Sequence, residues 1–313
     1  MENPFRMNLI LKQQNLIAMK TIIRISLFII GAVVITAMFI IIFQKPEAAK
    51  ANTPKGCVFR TVFGEDSSED MYLYNTPQNV AHSIEGALHY VVKAQQENGG
   101  WGAGTHAAQN IMDPHAVKAD PATTSMVMMA ILRSGSTLSE GEYAEQLKSG
   151  LNYLLDAVEQ SDENSSTITS LQGTQIQVKL GANIDVVLAS QCLSNIIDYV
   201  KDEDMNTRVK NALQACINKI QKTQTANGSF SGNGWAGVLQ SSFASSALEA
   251  ARSKGVEVDE EALEKAQDYQ KGNYDAKTGN VNTDMGAGVV LYAVSSSVRN
   301  TSVDAKKVKE DLK

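Results

Sequence analysis

Side chains able to hold or move a proton are concentrated where four apolar runs begin. Asp120, Thr123 and Thr124 open the first run, Asn183 and Asp185 the second, Gln240 and Ser241 the third, and Thr283 and Asp284 the fourth. The segment leading to the first run adds His106, Asp113 and His115. Asp120, Asp185 and Asp284 are the candidate catalytic carboxylates, suited to general acid or base work where apolar surroundings shift them. His106, Asp113, His115, Thr123, Thr124, Gln240 and Ser241 form the candidate ligand-binding rim. Imidazole and carboxylate together offer the donor atoms for a metal and a useful range of acidity. Their spacing fits no strong metal motif, so neither a metal nor another cofactor is assigned. The competing reading is structural, because Asp, Thr and Ser at a helix start cap its free N–H groups.

Helices must position these residues. Thr76-Pro77 and Asp120-Pro121 each pair an N-cap oxygen with a proline whose missing N–H costs nothing in the first turn. Ser139 with Glu142 reads as a capping box, and Asp259 precedes Glu260 and Glu261 at another start. From Pro77 the spacing predicts a helix to about Gln96, with Val80, Ile84, Leu88 and Val91 on one face. Charged, amphipathic stretches starting near 77, 139, 204 and 259 alternate with runs apolar on every side. The apolar runs are TTSMVMMAILRSG, IDVVLASQCLSNIIDYV, GVLQSSFASSALEAA and GAGVVLYAVSSS.

A helix with one apolar stripe keeps its other side in water, whereas an all-apolar helix must be surrounded. A ring of helical hairpins satisfies both, with amphipathic helices outside and apolar helices inside. The fold class is therefore all-α, an α/α toroid repeating at roughly sixty residues. Inner helices that start at one rim converge their first polar residues over an apolar throat, a plausible ligand site. A fifth unit begins at Ser302, so the ring is open, is closed by another chain, or belongs to a sequence cut short. The polar stretch 161–181 is either a lid over the rim or a solvated insertion.

One motif adds to this reading. Gly86, Tyr90, Val91, Gln95, Gly99 and Trp101 run from the first helix into its exit loop, where Asn98-Gly99-Gly100 ends the helix. Trp101 can fold back over the helix end, with Gln95 bonding the loop. Ile220, Gln224, Gly228 and Phe230 repeat the step from Gln to aromatic, and Gly150, Tyr153 and Leu154 keep a fragment of a third copy. The pattern resembles the QW repeat of the squalene and hopene cyclases, relatives of the protein prenyltransferase β subunits. Glu85 stands where that repeat usually has Lys or Arg. The resemblance implies an α/α toroid over roughly residues 77–300 with Gln95, Gly99, Trp101, Gln224, Gly228 and Phe230 as structural staples.

The family's chemistry does not carry over with the fold. Such cyclases protonate an alkene from an Asp-x-Asp-Asp motif, and the matching Asp120-Pro121-Ala122-Thr123 has alanine in place of the proton donor. Prenyltransferases hold zinc through Asp, Cys and His, but the comparable positions here, Gln240, Ser242 and Asp284-Met285, offer neither thiolate nor imidazole. A lyase on a similar toroid would need basic residues at the rim, for which Lys118 and Lys179 are the candidates.

A net charge of -6 gives no basic footprint for nucleic acid. Three cysteines make neither a disulfide framework nor a zinc ribbon. Residues 25–43 are uncharged, long enough at ~1.5 Å per residue for a bilayer core. Arg6, Lys12, Lys20 and Arg24 precede them and hold the amino terminus in the cytoplasm. The organisation read from the sequence is a cytoplasmic tail at 1–20, a transmembrane signal anchor at 21–43, a linker at 44–75 and the toroid at 76–313. Either the anchor is kept, which the long apolar run favours, or it is a cleaved signal; Met19 is an alternative start. The functional expectation is a single-pass cell-membrane protein whose outward-facing toroid is non-catalytic and binds a lipid, glycan or protein at its rim, with a homo-oligomer as a further form. The alternative is a terpenoid cyclase-like, prenyltransferase-like or lyase-like enzyme with a non-standard active site.

Overall fold

The computed structural model describes residues 78–230, 233–275, 277–283 and 286–311. Thr76-Pro77, the apolar run 25–43 and Asp284 lie outside them. The described residues are all-α, with nine α-helices and only isolated bridges between extended residues. In chain order these are α1 (Gln78–Lys93), α2 (Pro121–Arg133), α3 (Ala144–Glu159), α4 (Gln175–Leu180), α5 (Ile184–Ile196), α6 (Glu203–Gln221), α7 (Gly237–Ser253), α8 (Glu260–Lys271) and α9 (Val290–Asp311).

Side-chain caps explain several of the starts. Asp120 accepts the Thr123 N–H ahead of α2, Asp202 that of Met205 ahead of α6, and Asp259 those of Glu261 and Ala262 ahead of α8. Each cap satisfies donors that a helix start otherwise leaves free. α4 opens on a capping box between Thr174 and Gln177.

The helices stack in two layers. α2, α5, α7 and α9 pack in succession, while α3 lies on α2, α6 on α5 and α7, and α8 on α7 and α9. Every residue of α5 is buried, so its run carries no charge except Asp185. α3 buries Leu147, Leu151, Leu154 and Leu155 as a stripe, and α6 buries Val209, Leu213, Ile217 and Ile220. The sequence alternation of amphipathic and all-apolar helices is thus the alternation of two layers. α1 is the exception, with no buried residue along its length.

Three sequence expectations are corrected. Ser139 does not start a helix: Gly141 has φ of 92° and the Thr137 hydroxyl accepts the Glu140 N–H, so the chain turns and α3 begins at Ala144. No new helix begins at Ser302, because α9 runs unbroken through it. The polar stretch 161–181 is not wholly a loop, since its end folds as α4.

The exits from α1 and α6 share one device. Gln95 donates its amide to the carbonyls of Gly99 at 2.8 Å and Gln146 at 3.0 Å, tying the turn to the first turn of α3. Trp101 is 2% exposed and donates its indole N–H to the Val91 carbonyl at 2.6 Å. Gln224 repeats this, donating to Gly228 and, at 2.7 Å, to Ala262 in the first turn of α8, with Phe230 buried beyond. Gly99 and Gly228 have φ near 84° and 85°, and a Cβ on either would collide with a carbonyl of the next amphipathic helix, Ser149 or Lys265. Glycine alone meets both conditions.

The third copy differs from the sequence expectation. Gly150 and Tyr153 form the surface that receives the first copy, Gly150 lying against the Trp101 ring and Tyr153 against Gly100. A third turn of this kind instead joins Tyr274 to Val281 after α8, with Asp275 accepting the Gly279 N–H through its carbonyl. Trp101→Ala is expected to cost about 3–5 kcal/mol through the lost ring and its cavity. Gln95→Ala should cost about 0.5–1.5 kcal/mol for each of the two bonds removed, read by urea unfolding.

Candidate functional site

The rim residues fall into separate groups. Asp120 is buried, caps α2, and accepts the Thr123 hydroxyl at 2.8 Å. Thr124 accepts the Trp101 N–H at 2.9 Å, and Ser241 accepts the Phe230 N–H at 3.0 Å. These hydroxyls seat the two aromatic staples against α2 and α7. Gln240 donates to the Asn183 carboxamide, which in turn donates to the Thr223 hydroxyl at 3.1 Å.

Asp185 lies one residue inside α5 and is 0% exposed. Its carboxylate accepts the Ala122 N–H of α2 at 3.2 Å and the Gln177 amide of α4 at 2.8 Å. Three helices therefore meet on one carboxylate. Burial pushes Asp185 up from its ordinary 3.8 to about 6, with the nearby Asp120 charge adding to the rise and the Gln177 bond opposing it. Burial also raises Asp120, against the hydrogen bonds from Thr123. Tyr153 is raised by burial and by both carboxylates.

The histidines do not join this cluster. His106 sits on a 3-10 turn, its Nδ1 3.2 Å from Gln175 Oε1 of α4. His115 Nε2 lies 3.0 Å from the Lys93 carbonyl at the end of α1, and Asp113 accepts the His115 backbone N–H. Both histidines are exposed. Among the described residues no three His, Cys, Asp or Glu side chains gather as a metal site. Of the rim residues, Asp120 and Asp185 lie close together inside the body and Gln240 reaches Asn183, while His106, Asp113 and His115 stand apart at the surface.

A feature the sequence reading did not single out lies beside α4. Trp235, 61% exposed, stands in the turn before α7, and Met126 of α2, Ile176 and Leu180 of α4, Leu239 of α7 and Tyr292 of α9 line a groove of about 300 Å³ with it. Lys179 also lines it. The turn is fixed because the N–H groups of Trp235 and Ala236 donate to the Val178 and Lys179 carbonyls at the end of α4. The volume is at the lower end for a small-molecule site, and its walls are mainly apolar and aromatic. A larger cleft of about 880 Å³ lies between α3 and α6, lined by Glu159, Asn211, Asn218 and Lys222. Its Arg208 forks onto Asp156 and Glu159, and its Lys219 donates to the Asp162 and Ser165 carbonyls, which makes that cleft a structural seam.

No protein-family model, curated protein or solved structure matches the chain. No helix among the described residues is long and apolar enough to cross a membrane.

The acid pair has a testable consequence. Asp185 binds its proton more tightly folded than unfolded, so the stability this group contributes is fully present only below about pH 4. Stability then falls as pH rises toward 6, because the unfolded chain ionises first, and levels off above it. The drop is on the order of 3 kcal/mol for this one group. Asp185→Asn should flatten the profile over that interval in urea unfolding followed against pH.

Proposed function

We propose that the chain is a membrane-anchored α/α toroid of the squalene cyclase-like kind that binds an apolar or amphiphilic ligand without transforming it. The toroid faces the non-cytoplasmic side, held by residues 21–43. The Trp235 groove is the binding surface, and this observation carries the reading. A Trp, a Tyr and four aliphatic side chains from four helices and a turn form a mainly apolar and aromatic wall, which suits an apolar or amphiphilic ligand. Lys179 in the lining suits an anionic head on an apolar chain. A glycan would need more hydrogen-bonding side chains around the ring than the aliphatic wall supplies.

The hydrogen bonding of the acids supports the non-catalytic part. Asp120 caps a helix and Asp185 joins three helices, so both have structural work and neither meets solvent. A second reading, an enzyme with a non-standard active site, draws on one observation. Asp185, raised to about 6, has the acidity of a general acid working near neutral pH. Substrate would have to displace α4 to reach it.

Tryptophan fluorescence tests the choice, since Trp101 is buried and Trp235 is the exposed ring. A long-chain fatty acid added to the full chain should shift the emission to the blue and protect it from acrylamide. Trp235→Ala should remove that signal and weaken binding roughly tenfold or more. Shielding by an oligosaccharide but not by the fatty acid would reassign the groove to glycans. Conversion of an added lipid, lost in Asp185→Asn, would favour the enzyme.

A further inference from the structure

α4 is six residues long, too short to persist as a helix by itself, so its position depends on what it bonds to. A glycine stands at each end, Gly173 with φ of 69° and Gly181 with φ of 101°. Nothing lies within reach of a Cβ on Gly173, so packing does not explain that glycine and the left-handed turn does. Two such ends allow the segment between them to swing as a unit. Along α4 only Gln177 is buried.

Among the described residues, three sets of bonds hold α4 down. At its start the His106 N–H donates to the Gly173 carbonyl at 2.9 Å and the Gln175 N–H to the Gly104 carbonyl at 3.1 Å. At its end the Val178 and Lys179 carbonyls accept the Trp235 and Ala236 N–H groups, both at 3.2 Å. Between them Gln177 donates to Asp185. The first and last are backbone bonds without a titratable group, so the middle one is where a proton can act. Asp120 at the start of α2 and Tyr153 of α3 are the titratable groups that face Asp185, and neither brings positive charge. α4 presents Gln177 to it, and on the α7 side Gln240 is bonded to Asn183. His106, whose ring meets Gln175, is a second titratable contact of α4, and Lys179 lines the groove.

The direction of the effect follows from what acts on the acid. Burial is the largest influence on Asp185 and outweighs the Gln177 bond, so the carboxylate is less stable under α4 than in water. Lifting α4 admits water and returns the acid toward its ordinary range. The ionised acid therefore favours the lifted position, and the protonated acid the docked one. Docked α4 supplies Ile176, Lys179 and Leu180 to the groove and holds the Trp235 turn.

We propose that α4 is a hinged flap over Asp185, that a proton on Asp185 holds it docked, and that docking completes the Trp235 groove. This rests on the reading of that groove as the binding surface and names its regulation. Ligand and proton each favour the docked flap, and so each favours the binding of the other.

Amide hydrogen exchange of the full chain in lipid discs, corrected for the intrinsic pH dependence of exchange, tests it. Amides of α6 report global unfolding, and those of α4 are expected to open more readily. Between about pH 5 and about pH 7.5 the opening of α4 should rise by as much as roughly tenfold, the limit set by a full return of Asp185 to its ordinary acidity. Asp185→Asn should remove that rise, and His106→Gln should keep it. Exchange of α4 and α6 together at every pH would overturn the flap. A flat profile, or a rise kept in Asp185→Asn and lost in His106→Gln, would overturn the role of Asp185. Octyl sulfonate, whose head stays ionised throughout, should shift the Trp235 emission and slow exchange in α4 but not in α6. Bound sulfonate that leaves α4 exchange unchanged would sink the link between flap and groove, with the binding reading still standing. No sulfonate signal at either pH would strike the binding reading and the ligand half of the inference, while the exchange profile decides the proton half by itself.

Discussion

The amide of Gln95 and its counterpart on Gln224 hold the layers in register. Each leaves the end of one amphipathic helix and donates to a carbonyl in the first turn of the next one along. Neighbouring outer helices are therefore joined by a bond with direction and length, where side-chain packing alone would let them slide. The aromatic ring that follows fills the space between outer and inner layers, and a hydroxyl of the next inner helix takes its backbone N–H. One turn thus fixes three helices. Glycine at the tight point is a consequence, because the approach of the next helix leaves no room for a Cβ.

The second organising interaction is the carboxylate of Asp185. Burying it is unfavourable, as its raised pKa records, yet it draws the start of α2 and the short α4 onto α5. Gln177 is the pivot: it closes the α4 capping box and donates to Asp185. α4 in turn supplies the two carbonyls that hold the Trp235 turn. A buried acid and an exposed aromatic groove are therefore linked by one short helix. The exposed groove is thus positioned, through α4, by the same cluster whose carboxylate stands out in the sequence.

Order of layers also explains where apolar surface is left over. Interior helices have neighbours on both sides and bury their stripes. Among the described residues, α1 exposes Val80 and Ile84 while Leu88 and Val92 pack on the core, and α9 exposes Val290 and Leu291.

Helix type was legible in the sequence because burial constrains composition directly. A run such as Ile184–Ile196 with one charge can only be surrounded, and Asp120 and Asp259 announce helix starts by local bonding alone. The Gln95 and Gln224 turns were legible for the same reason, as glycine and an aromatic at fixed steps encode a local shape. Ser139 misled because a capping pattern states a local preference, and Gly141 overrode it two residues later. What only the tertiary structure decided is direction. Asp185 and Trp235 have sequence surroundings that predict neither fate, yet one is sealed beneath α4 and the other stands in solvent beside it. Periodicity specifies that a face is covered, while which partner covers it depends on contacts far apart in the chain, and those have no local signature.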